Sequence, residues 1–117
     1  MREKGRLMSA KKKIYLFCTF GMSTSMLAQS MQDVADGHGL PVEVKAFPLR
    51  TMDDVIAEHH PDCALLGPQV RDQFETTKAR LAEQNLPCGL IPQEAYGMVD
   101  GESVLKMAVK LIKANKK

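Results

Sequence analysis

A chain of 117 residues has room for one domain of ordinary size and little more. Hydrophobic residues at 44% and charged residues at 26% mark it as soluble and globular, and a net charge of +2 without a basic stripe and interleaved aromatics argues against nucleic-acid binding. No stretch approaches the roughly 18 apolar residues of a membrane span, and the run IYLFC (14–18) is too short for a signal-peptide core. In chain order, residues 1–10 read as a disordered basic leader and residues 11–117 as the single domain. Lys13–Phe17 is an apolar run of β-formers, followed by the loop CTFGMSTS. Met22, Met26, Leu27, Met31 and Val34 recur at helical spacing up to Gly37 and Gly39. Val42–Phe47 alternates as a more exposed strand, stopped by Pro48. Thr51 is placed to cap a short helix containing Met52, Val55 and Ile56, which Pro61 breaks. Asp62–Leu66 reads as a buried strand ending at Gly67-Pro68, and Val70, Phe74, Thr77 and Leu81 as a further helix with Pro68 near its start. Pro87–Ile91 gives a fourth strand, then a turn near Tyr96-Gly97. Val104, Leu105, Ala108, Leu111 and Ile112 mark an amphipathic last helix, with Asp100 as its cap.

This alternation of strand and helix predicts an α/β fold: a four-stranded parallel sheet, order 2-1-3-4, with helices on both faces. Strand 1 is then central, and the loop after it lies at the switch-point crevice where such sheets bind ligands. That loop begins Cys18-Thr19-Phe20-Gly21-Met22-Ser23-Thr24-Ser25. A thiolate is a strong nucleophile, and a helix N-terminus with converging backbone N–H groups favours anions, thiolate and phosphate alike. Gly21 permits a tight loop, and the small hydroxyl residues Ser23, Thr24 and Ser25 leave the amides accessible and can bond phosphate oxygens. One element can therefore activate the Cys18 thiol and hold a phosphorylated product. A buried filler cysteine beside ordinary capping residues is the competing reading of these features.

The run YLFCTFGMSTSML resembles the active-site segment of the IIB proteins of the bacterial phosphoenolpyruvate-dependent sugar phosphotransferase system, lactose/cellobiose (chitobiose) type. Further matches are LLGPQV (65–70) and YGMVDG (96–101), followed by VLKMAVKLIK. The resemblance spans residues 12–113 and implies a fold like that of low-molecular-weight tyrosine phosphatases. It also implies that Cys18 accepts phosphate from a phosphohistidine of a IIA protein and passes it to a sugar taken up by the membrane IIC permease. The backbone of Thr19–Ser25 would be the phosphate cradle, and the permease would select the sugar. No cofactor and no metal are implied.

A phosphatase or arsenate reductase of the related C-x5-R-[ST] type is the main alternative. Here the sixth position after Cys18 is Thr24, not arginine, although Ser25 matches the hydroxyl that follows. Threonine cannot supply a guanidinium's bidentate contacts to a transferring phosphoryl group. The Asp-Pro dipeptide that provides the general acid in those enzymes is absent from the chain. A binding module that only senses phosphate is a third reading. A redox role needs a resolving cysteine, and Cys63 and Cys88 fall within strands as expected core residues. The odd cysteine count without CxxC spacing fits a reducing compartment, so a cytoplasmic protein is expected, reaching the membrane only through a partner. His38, His59 and His60 read as exposed loop residues. Phe20 and Met22 are either part of the IIA and IIC docking surface or packed under the loop. Tyr96 belongs at the same sheet edge as Cys18, as a turn residue or as a neighbour of the phosphate loop. A monomer is expected, because each helix spends its apolar face on the sheet.

Overall fold

The computed structural model describes residues 12–19 and 22–115; the side chains of Met22 and Ser23 are outside it, as are the leader (1–10), Phe20 and Gly21. The first strand, β1 (Lys12–Cys18), pairs in parallel with β2 (Val42–Pro48) on one side and β3 (Cys63–Leu66) on the other. β4 (Cys88–Leu90) joins β3, again in parallel, so the sheet runs β2-β1-β3-β4. This is the expected 2-1-3-4 order. β1 is central because Ile14, Tyr15, Leu16 and Phe17 are apolar on both faces and all fully buried.

The pleat divides those residues between two cores. Ile14 and Leu16 pack with Leu27, Met31 and Ala35 of α1 (Met22–Gly37), and with Val104, Leu105 and Ala108 of α5 (Gly101–Asn115). Tyr15 and Phe17 face Met52, Val55 and Ile56 of α2 (Met52–His59), and Leu81 of α3 (Phe74–Ala82). Helices thus cover both faces. Cys63 lies in the first core and Cys88 in the second. Burial pushes the Cys63 thiol up to about 12 and the Cys88 thiol up to about 11, which suits core residues and not reactive ones.

Local chemistry moves several expected features. α1 starts at Met22, so Ser23, Thr24 and Ser25 belong to its first turn and not to a loop. The first four N–H groups of a helix lack intrahelical acceptors, so hydroxyl residues are well tolerated there. Thr51 does not cap α2; its hydroxyl donates to the carbonyl of Pro48 at 2.7 Å and closes a 3₁₀ turn, Leu49–Thr51. The helix expected from Pro68 onward is broken in two. A 3₁₀ segment, Pro68–Gln73, precedes α3, and Val70 leaves helical geometry (φ −115°, ψ 26°) where its side chain enters the second core. The turn near Tyr96 is a short helix, α4 (Gln93–Gly97), started by extended Pro92. Asp100 accepts from the Ser103 N–H (3.2 Å) and hydroxyl (2.8 Å), as a cap of α5 should. His59 is not a loop residue; it ends α2 partly buried, its ring stacked on Phe47 and edge-on to Tyr15.

Candidate functional site

Cys18 is the last residue of the central strand and is buried, 3% exposed. It pairs in register with Pro48 of β2, but the β1–β3 ladder stops one step earlier, at Phe17 and Leu66. The chain beyond β3 is tied back by one further bond, from the Gly67 N–H to the Phe17 carbonyl at 2.9 Å. Strand order reverses at this point, since β1 connects outward to β2 and β3 outward to β4. Such a reversal opens a crevice at the carboxyl edge of a parallel sheet, and Cys18 lies buried at that edge.

Two walls close around the thiol. One is the first turn of α1, which begins four residues after Cys18 and brings the positive end of the helix dipole to this edge. Thr24 lies in that turn, fully buried, and its hydroxyl has no hydrogen-bond partner among the described residues. An orphaned hydroxyl beside a helix N-terminus is a donor held ready for an acceptor. Thr19 and Ser25 are exposed. Phe20 and Gly21, expected in the cradle, lie outside the described residues, and of Met22 and Ser23 only the backbone is described.

The other wall is the chain after β3. A methyl group built on Gly67 would fall 3.2 Å from Cys18 Cβ and 2.6 Å from Gln69 Oε1. A side chain on Gly67 would crowd the cysteine and displace the tip of Gln69, which fills the space beside it. Gln69, Arg71, Asp72, Gln93 and Tyr96 then line an open cleft of about 570 Å³. Tyr96 sits in α4 at the carboxyl edge, as expected, and its hydroxyl is buried without a partner among the described residues. A second cleft of about 470 Å³ holds Thr19, Arg50, Thr77 and Arg80, with Arg80 bound to Asp53 at 2.6 Å. Gln69, within LLGPQV, and Arg50 are not among the site residues expected from the sequence. Their signal is positional: each follows a strand adjacent to β1 by two or three residues, where loops meet the crevice.

The arrangement can hold a small oxyanion against Cys18. The position that carries arginine in the phosphatase loop is here the buried, uncharged Thr24.

Comparisons with known proteins bear on the fold and the family. The family model for the PTS system, lactose/cellobiose-specific IIB subunit, matches residues 13–107. The cellobiose-specific EIIB component of Lactococcus lactis subsp. lactis (strain IL1403) is 35% identical over 106 residues, covering 88% of this chain and 98% of that protein. The galactose-specific EIIB component of Lactococcus lactis subsp. cremoris (strain MG1363) shows the same identity and coverage. The solution structure of the cellobiose-specific phosphotransferase IIB component from Borrelia burgdorferi superposes with a TM-score of 0.75 at 27% identity, covering 92% of this chain and 97% of that one.

Proposed function

This chain belongs to the lactose/cellobiose-specific IIB subunits of the PTS system, and from that premise we propose that it carries the phosphoryl group on Cys18. As a IIB component it is a sugar phosphotransferase that works between IIA and IIC partners. In the proposed cycle a phosphohistidine of IIA is the donor. Sulfur attacks phosphorus, the S–P bond forms, and the N–P bond breaks with its electron pair left on the imidazole nitrogen. The thiol proton ends on that nitrogen. A sugar hydroxyl presented by IIC then takes the phosphoryl group, and the thiol is restored.

The observation that carries this reading is the place of Cys18, at the end of the central strand and under the N-terminus of α1. The backbone of Thr19–Ser25 is the proposed cradle for the phosphoryl oxygens, with the Thr24 hydroxyl as an added donor. Tyr96 is proposed as a neighbour of that cradle. The chain offers no guanidinium from its own loop and no Asp-Pro acid, so a phosphoryl group placed on sulfur waits for an acceptor. The relatives of equal identity named for cellobiose and for galactose support a division of labour in which the permease chooses the sugar. The proposed setting is cytoplasmic, where reduced thiols persist.

The test is to mix the protein with phosphorylated IIA and measure intact and peptide mass. One phosphoryl group should appear on the peptide containing Cys18, and Cys18→Ser should remove it. Label on a histidine, or label that survives Cys18→Ser, sinks the reading.

A further inference from the structure

The sequence leaves one electrostatic gap, since the loop after Cys18 lacks the guanidinium with which related phosphatases grip a phosphoryl group. The structure supplies a different group from the opposite wall. Gln69 Oε1 and Cys18 Cβ both press on the one place where Gly67 has no side chain, at 2.6 and 3.2 Å from a methyl built there. A single absent methyl therefore separates the carboxamide from the cysteine. A phosphoryl group on Sγ extends three bonds from Cβ to its oxygens, which brings an oxygen within reach of a carboxamide held so near. Gln69 is exposed to the cleft and can turn either end of its amide inward; Nε2 carries two donors.

We infer that Gln69 is a catalytic contact of the phosphoryl transfer, donating from Nε2 to an oxygen of the group as it moves on or off Cys18. The inference rests on the reading of Cys18 given above. The charge balance of the cleft favours an amide in this role. Arg71 leans on Gln93, its Nη1 donating to Oε1 at 3.4 Å, and the Asp72 carboxylate lines the same cleft. Their opposite charges offset within this cleft and Gln69 adds a neutral dipole beside them, while Arg50 and Arg80 line the separate cleft next to Thr19. A relay must release what it binds. A neutral donor stabilises the transferring oxyanion without the hold of a bidentate guanidinium. α1 then grips the group from one side and Gln69 from the other, and Gly67 sets the gap between them.

The experiment is single-turnover transfer from phosphorylated IIA to the full chain, with wild type, Gln69→Ala and Gln69→Glu compared at saturating donor. Gln69→Ala should slow the transfer about tenfold, the loss expected for one hydrogen bond to a charged group. Gln69→Glu keeps the shape but sets a carboxylate beside a phosphoryl dianion, and should slow it about a hundredfold. Half-saturation by donor and the thermal midpoint should stay at wild-type values in both. Transfer at the wild-type rate in either variant overturns the inference and leaves phosphocysteine standing. Equal slowing in both, with a lowered thermal midpoint, makes Gln69 structural and also overturns it. Should Gln69→Glu not fold, the alanine variant decides alone. Absence of label on Cys18 in the wild type removes the underlying reading instead.

Discussion

Thr24 is the residue at which stability and the proposed function of this site pull in opposite directions. Its hydroxyl is fully enclosed and has no hydrogen-bond partner among the described residues. Such a group costs about 1–3 kcal/mol of desolvation, a cost that a fold retains only where something outside the chain can answer it. Thr24→Val removes the hydroxyl and keeps the branched shape. It should raise the unfolding free energy of the unphosphorylated protein by about 1 kcal/mol, measured by urea denaturation, while slowing transfer to Cys18. A variant that is less stable than wild type would show that the hydroxyl has a partner in the native state. The residue was found at once from the sequence, because it holds the position of a phosphatase arginine. Its burial was not visible there, since it depends on α1 starting at Met22 and turning Thr24 inward. Gln69 was invisible for the opposite reason. It lies 51 positions from Cys18, and only the β1–β3 pairing brings the two together.

At the level of elements, the most constrained contact lies away from the site, between α1 and the start of α5. A methyl group on Gly101 would fall 2.6 Å from the Ser30 carbonyl carbon and 2.7 Å from the Met31 nitrogen. The Ser30 hydroxyl donates across the same contact to the Val99 carbonyl at 3.3 Å. Backbone cannot retreat as a side-chain tip can, so Gly101→Ala must separate two helices that share the first core. The expected cost is about 2 kcal/mol, seen as a lower urea midpoint with an unchanged slope. An unshifted midpoint would contradict the packing described. By contrast, the Arg80–Asp53 pair joining α3 to α2 is exposed at both ends and should matter little. Strands and long helices were readable from the sequence because apolar runs and 3.6-residue spacing report burial directly. The short pieces were not. The 3₁₀ segment at Pro68–Gln73 and helix α4 depend on how the chain turns over the sheet edge, which local pattern does not encode.

For the whole molecule, two buried thiols contribute a loss of stability at alkaline pH. Burial raises Cys63 from 9.0 to about 12 and Cys88 from 9.0 to about 11. Folded pKa values above the unfolded ones mean that this stability is complete below about pH 9 and is lost as pH rises toward the folded values. In that window Cys63 alone should contribute a fall of up to about 1.4 kcal/mol per pH unit. Urea midpoints at rising pH should show the decline, and Cys63→Ala should flatten it; an unchanged slope would mean the thiol is not protected in the core. The same sheet that hides these two thiols leaves the third at its carboxyl edge, between α1 and the Gln69 wall. Its place at the strand end, and not exposure, sets Cys18 apart, since it is as buried as Cys88 (3% against 4% exposed), and the proposal is that a phosphoryl group there is passed on and not hydrolysed. The most direct measurement of that claim is a chase. Protein labelled on Cys18 by phosphorylated IIA is mixed with membranes holding the IIC permease and its sugar, and the fate of the label is followed. The label should stay on Cys18 without the permease and move to sugar when permease and sugar are both present. Rapid release as inorganic phosphate without them would show a hydrolase and contradict the account.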